Sequence, residues 1–349
     1  MRRAKPLNPS PPTRSVRSLR LSRIARSAAF VAGLLCVSGT AAACTVATAD
    51  TDLGHHSSYV AAASAQTGSG SAGLSCDILL AALTAHYVAL RVEASTFQLA
   101  GPGGSTIAYQ ASLTPNGTAL TVGSFQDLSS LSLVSLFAGT NSSVPIYIRT
   151  TPTAGLRAGT YTGFIDLRWY YSVCSLGVAV CLAHSSSPGF VRPVPLVTPI
   201  NFGTGTAVRI NVEMRIDNDC IIQAPSLDFG TAPIASRFDP VTRTILIRCS
   251  AGAAYSVGLD NGTHASGNVR RMQSGSNYLS YEIYKSATSP DRWGMIGGER
   301  RASSAADTGA GLYDSLTNQG FTYRAAIDPA QASPPAGSYT DRIRVDVEF

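Results

Sequence analysis

Two cysteine-bounded stretches of this chain repeat one another. Cys44 opens CTVATADTDLG and Cys220 opens CIIQAPSLDFG, and the same three residue types fall at the same offsets. They are Asp52, Leu53 and Gly54 in one, Asp228, Phe229 and Gly230 in the other. A second cysteine follows each, Cys76 and Cys249. Later, Ile107-Ala108-Tyr109 answers Leu279-Ser280-Tyr281, and Ala158-Gly159-Thr160-Tyr161-Thr162 answers Ala336-Gly337-Ser338-Tyr339-Thr340. Elements in one order, twice over, mean two copies of one small domain. Differences between the copies then report function.

The first 43 residues are read apart from the fold. They hold eight basic residues between Arg2 and Arg26, no acid, an apolar run from Ala28 to Val37, and Ala41-Ala42-Ala43. That is the pattern of a secretory signal peptide, with an apolar run too short to span a bilayer. Lipidation of Cys44 would want a bulky aliphatic residue where Ala41 stands. Removing the eight positive charges turns a formal +6 into 19 bases against 21 acids. Nucleic-acid binding then loses its electrostatic support.

Cys36 leaves with that leader, and six cysteines remain. An even count in an exported chain suggests three bridges, for which fifteen pairings exist. The repeat selects Cys44–Cys76 and Cys220–Cys249 as equivalents and leaves Cys174–Cys181 as a local clip.

Strand signals dominate the remainder. At the C-terminus Ile343, Val345, Val347 and Phe349 alternate with Arg342, Arg344, Asp346 and Glu348, the period of a half-buried strand. Residues 244–248, 278–284 and 323–327 read the same way, and Asn116-Gly117 and Asn261-Gly262 are hairpin-type turns. The fold class is all-β: two antiparallel β-sandwiches in tandem. The expected layout is a leader over 1–43, a divergent N-terminal domain over 44–184, a Pro/Gly-rich linker over 185–206, and a second domain over 207–349. Within the last, 207–214 alternates Val208, Ile210, Val212 and Met214, a strand ahead of Cys220 that the first copy lacks.

The second copy, with Leu227-Asp228-Phe229-Gly230, Ile247-Arg248-Cys249, Arg271-Met272, Trp293-Gly294 and Ala336 to Asp341, resembles the spore coat protein U domain family. The two-domain layout resembles the tip adhesins of archaic (Csu-type) chaperone–usher pili. The resemblance implies that both sandwiches are immunoglobulin-like, of the pilin type, and that the C-terminal one lacks its last strand. A periplasmic chaperone, then a neighbouring pilin subunit, would lend that strand by β-augmentation, with an outer-membrane usher as further partner. Ile343, Val345, Val347 and Phe349 would form the accepting edge. The alternative is a terminal strand in a complete sandwich. With its mature start near Cys44 the chain is expected to accept a strand and not donate one, placing it at the fibre end on the cell surface. The implied role is attachment to hydrophobic surfaces and biofilm formation. The competing reading is a structural coat or matrix protein.

Three apolar stretches are candidates for contact. Leu176, Gly177, Val178, Ala179 and Val180 lie between Cys174 and Cys181, where a clipped loop would project apolar groups. Leu133, Val134, Leu136 and Phe137 lie in an apolar run without strand alternation. A third, 78–83, follows Cys76 and reads rather as core. Each could also be buried.

Enzymatic readings find little. His55, His56, His86, His184 and His264 lack metal-ligand spacing, and no G-x-S-x-G elbow occurs. No catalytic, cofactor or metal residue is assigned. Asp52 and Asp228 read as turn formers. A carbohydrate-binding sandwich would need Trp169, Tyr170 and Tyr171 on an exposed face.

Overall fold

The computed structural model describes residues 44–77, 84–176 and 180–349; the expected leader lies outside them. The first sandwich contains β1 (Cys44–Val46), β2 (Ala49–Ser57), β3 (Thr67–Cys76), β4 (Tyr87–Ala94), β5 (Gln98–Ala100), β6 (Thr106–Ser112), β7 (Phe125–Asp127), β8 (Ser143–Thr150), β9 (Gly159–Leu176), β10 (Ala183–Ser186) and β11 (Thr206–Asp217). The second contains β12 (Cys220–Gln223), β13 (Val241–Cys249), β14 (Ser256–Leu259), β15 (Arg270–Ser274), β16 (Asn277–Tyr284), β17 (Arg301–Ala302), β18 (Gln319–Ile327) and β19 (Val345–Glu348). Two short helices, α1 (Ser58–Ala63) and α2 (Leu133–Leu136), interrupt the first.

Apolar alternation drives both cores. In β8, Val144, Ile146 and Ile148 are buried while Tyr147 and Arg149 face outward. In β13 and β18, Ile245, Ile247, Phe321, Tyr323 and Ala325 close over the indole of Trp293. The strands of the first sandwich run in the order β1-β3-β8-β6-β5-β9-β11-β2, with β4 and β10 attached along β9 and β7 paired to β4. The second divides into β12-β13-β18-β16-β15 facing β17-β14-β19.

The repeat is visible atom by atom. Cys44 pairs across from Cys76 and Cys220 across from Cys249, and each pair is bridged. Cys174–Cys181 is bridged as well. Asp52 Oδ1 accepts the Gly54 N–H at 2.7 Å, and Asp228 Oδ1 accepts the Gly230 N–H at 2.8 Å. These Asx turns hold Gly54 at φ 83° and Gly230 at φ 75°, where a side chain would be strained.

The strand expected ahead of Cys220 is present and longer, but it is spent on the first sandwich. β11 lies antiparallel to β9 from Thr206↔Trp169 to Ile216↔Gly159, and parallel to β2 from Ile210↔Ala49. Val208, Ile210, Val212, Met214 and Ile216 are buried, each worth about 1.5–3 kcal/mol relative to exposure. Its outer face is tied down where Arg209 donates to both Asp166 oxygens at 2.7 and 2.8 Å, and Asn211 Nδ2 to Asp50 Oδ1 at 2.8 Å.

The Pro/Gly-rich segment before β11 is no free spacer. Phe190 packs on Tyr87, and Phe202 on Phe125, Tyr170 and Phe190, with centroids 5.2–6.0 Å apart. Arg192 lies over the Tyr87 ring and donates to Ser172 O and Ala85 O. Aromatic burial at this spacing docks the segment against the first sandwich.

After β11, only Asn218 and Asp219 separate the strand from Cys220. Ala251 N donates to Leu156 O at 3.2 Å, and the buried hydroxyls of Ser58 and Ser250 meet at 2.7 Å. β9 starts beside this joint and runs away from it for 18 residues, about 60 Å of extended chain. The first sandwich therefore has a joint end and a distal end.

Candidate functional site

Equivalent positions in the two sandwiches differ in what covers them. In the first, Tyr161, Ile165, Leu167 and Trp169 of β9 are each 0% exposed, because β11 lies alongside. By the repeat they correspond to Tyr339, Ile343, Val345 and Val347. All four of these are half-buried. Across from them Thr51 and Leu53 of β2 are buried, whereas their equivalents Leu227 and Phe229 are half-buried. Residues 224–231 belong to no strand.

Between 224–229 and 339–345 runs a groove of about 420 Å³, walled by Leu227, Phe229, Tyr339, Ile343 and Val345 and floored by Ile283 and Tyr323. It occupies the place that β11 fills in the first sandwich. β19 pairs with β14 along one edge, Leu259↔Val345 to Ser256↔Glu348, and pairs with no described strand along the other. Its regular part is shorter than the alternation suggests. Residues 342–344 belong to no strand, since β14 ends at Leu259, and Phe349 is exposed beyond β19.

One polar group interrupts the groove. Asp341 Oδ2 accepts from the Tyr281 hydroxyl at 2.7 Å, and Oδ1 accepts from Thr263 N and Oγ1. Burial, then the neighbouring carboxylate, pushes the Tyr281 phenol well above its ordinary range. The phenol stays protonated and donating. In the first sandwich Gly163 holds this position, opposite Val212.

The second place of interest is the distal end. His86 Nε2 bonds Leu131 O at 2.8 Å, while Ala85 O accepts from Arg192. The β7–β8 connection and the 190–201 segment therefore gather around residues 85–86. The β9–β10 turn, bridged at Cys174–Cys181, ends there too, for His184 lies across from Cys174 and Arg192 reaches Ser172. Val191 bridges to Asn201 and Val194 to Thr198, which folds 191–201 into a narrow hairpin. Leu131, Val134, Val180, Leu182, Val194 and Val197 are exposed, and Leu196, at φ 64° on the hairpin tip, is wholly so. Single exposed apolar groups need no explanation, but here several gather at one end.

Several expected site residues are placed elsewhere. Leu133, Leu136 and Phe137 are core, at 1%, 4% and 4% exposure. Ser132 caps α2 by accepting from Ser135 N, and one helical turn puts positions 133, 136 and 137 on a single inward face. Val134, on the opposite face, is 63% exposed. The cap followed by apolar i, i+3 and i+4 spacing was the signal that separates them. Residues 177–179, the Leu176 side chain and residues 78–83 lie outside the described ones; Val180 is 73% exposed. Sequence reasoning missed the 191–201 hairpin, because its prolines read as linker.

Trp169 is not a surface aromatic: it is 0% exposed and its Nε1 donates to Ala72 O at 2.7 Å. Tyr170 and Tyr171 are buried beside it. Among the described residues no three His, Cys, Asp or Glu side chains could share a metal ion. No described helix is long and apolar enough to cross a membrane.

The Spore Coat Protein U domain matches this sequence twice, over residues 32–167 and 206–346. The chain is similar, at 30% identity and a TM-score of 0.68, to a chain in the crystal structure of the CsuC–CsuE chaperone–tip adhesion subunit pre-assembly complex from the archaic chaperone–usher Csu pili of Acinetobacter baumannii. The match covers 88% of this chain and 100% of that one. The CupB6 tip adhesin of Pseudomonas aeruginosa follows at 11% identity and a TM-score of 0.27, covering 81% of this chain and 84% of that one. CfaE, the adhesive subunit of CFA/I fimbria of enterotoxigenic Escherichia coli, follows at 10% and 0.28, covering 86% and 92%. No curated protein sequence matches significantly.

Proposed function

The chain belongs to the Spore Coat Protein U domain family, and on that footing we propose that it is the tip adhesin of an archaic chaperone–usher pilus. It attaches through its distal apolar end and joins the fibre through the groove of its second sandwich.

One observation carries this reading. The groove lies between the equivalents of β2 and β9, and in the first sandwich those two strands hold β11 between them. The chain thus contains its own example of a filled site and, beside it, an open one. An uncovered edge with half-buried apolar residues invites a strand from another chain. A periplasmic chaperone supplies it first and a neighbouring pilin subunit later, after passage through an outer-membrane usher. β11 itself is committed in cis, so giving it to a neighbour would strip the first core. The likeness to a chaperone-bound tip subunit supports the same order of partners.

At the other end, an apolar surface is met by apolar burial at about 25 cal/mol per Å² covered. Such contact does not discriminate chemically and suits hydrophobic materials and the surface colonisation that precedes biofilm. The test is expression with and without a candidate chaperone of archaic pili. Soluble chain recovered only as a one-to-one complex supports the groove assignment; equal soluble yield alone, with no complex, refutes it.

A further inference from the structure

The outer face of the first sandwich carries a small built array that neither the groove nor the distal end uses. On β8, Tyr147 lies directly across from Ser69 of β3 and Ser112 of β6. One step along, Arg149 lies across from Thr67 and Gln110. Cross-strand neighbours stand about 5 Å apart at Cβ, so six side chains form two rows of three on one surface. The loop 115–119 rises beside them, with Asn116 turned at φ 55°, and encloses a depression of about 420 Å³.

Each member has a definite chemical capacity. Tyr147 is half-buried, and its cross-strand neighbours are the short side chains of Ser69 and Ser112. Ser112 is turned away, donating to Thr114 O at 2.8 Å. Gln110, Asn116 and Arg149 are exposed, and their side chains form no hydrogen bond or ion pair with another described residue. Elsewhere the half-buried Arg168 on β9 and the exposed Arg209 on β11 are paired with Glu93 and Asp166. Arg149 keeps a planar donor fork with no carboxylate of its own.

A partly exposed ring beside planar amides and an unpaired guanidinium is what a carboxylate-bearing sugar requires. The apolar face of a pyranose stacks on the phenol, its hydroxyls take the amides, and its carboxylate takes the fork in two parallel bonds. We propose that this face binds acidic saccharide, of the uronic-acid type, independently of the apolar distal end.

The experiment titrates the full chain with a glucuronic-acid-containing disaccharide and with its neutral glucose counterpart, by calorimetry at low and high salt. The acidic sugar should bind about tenfold more tightly, the scale of a hydrogen bond to a charged group, and the preference should shrink as salt rises. Arg149→Gln should erase the preference, and Tyr147→Ser should weaken both sugars. Arg149 is exposed, so its variant should melt unchanged, and the Tyr147 variant is titrated below its own melting transition. Leu196→Asp at the distal end should leave sugar binding intact. Equal affinity for the two sugars, absence of binding, or a preference that survives Arg149→Gln would each overturn the assignment.

Discussion

Ile210 stands directly across from Ile165, and neither reaches solvent. One belongs in sequence to the segment leading into the second sandwich, the other to the last long strand of the first. Their pairing makes the first core complete without any other chain. Ile343, the repeat equivalent of Ile165, has no strand across from it and stays half-buried.

Truncation should therefore cost unequal amounts at equivalent places. Ile210→Ala removes fully buried methylenes from a closed core and should destabilise by about 2–5 kcal/mol. Ile343→Ala removes groups that are already partly hydrated and should cost well under half of that in the free chain. Denaturant unfolding of the two variants measures the difference. Equal losses would mean that the second groove is covered as fully as the first.

A strand-accepting groove should fail by charge before it fails by folding. Val345→Asp and Phe229→Asp each place a carboxylate where an incoming strand must bury apolar side chains, and an unpaired buried charge is strongly disfavoured. Capture by the chaperone in pull-down should fall at least about tenfold for either. The first sandwich, with its own β11, should melt unchanged. Undiminished capture would place the chaperone contact elsewhere.

Two of the three bridges should separate in their effects. Cys220–Cys249 closes a separation of 29 residues, and its loss frees loop entropy worth about 3–4 kcal/mol. Cys174–Cys181 closes only 7, worth about 2.4 kcal/mol, yet it sits at the distal end. Replacing the first pair by serine should depress stability more. Replacing the second should depress surface adhesion more, because the turn it closes is the one carrying Val180. Melting curves and adhesion counts on the same variants decide this.

What could be read beforehand was whatever depends on short-range pattern. The Asx turns at Asp52 and Asp228, the disulfide pairs and the alternation of Val208 to Met214 are local facts, and all three were legible. The destination of β11 was not. Alternation says that one face of Val208, Ile210 and Val212 is buried but not against which sheet, and nothing local distinguishes Ile165 from a partner in the second sandwich. Leu133, Leu136 and Phe137 differ, for their lack of strand period was a turn of helix, and its cap at Ser132 is a local signal. Prolines 193, 195 and 199 likewise read as spacer because the aromatic contacts that dock them, Phe190 on Tyr87 and Phe202 on Tyr170, join residues far apart in sequence.

Adhesion should follow exposure and not hydrophobicity alone. Leu196→Asp and Val134→Asp change side chains that face solvent at the distal end, so stability should stay within about 0.5 kcal/mol of the parent. Each removes apolar area from the contact and adds a charge that must be dehydrated on docking. The double variant should lose most binding to a polystyrene surface while still assembling with its chaperone. Leu136→Ala supplies the contrast. It lies two residues from Val134 but inside the core, and should cost about 2–5 kcal/mol of stability. Whatever folded protein remains should adhere as well per molecule as the parent. If Leu136→Ala reduced adhesion per folded molecule as much as the double variant, the distal apolar set would not be the contact surface.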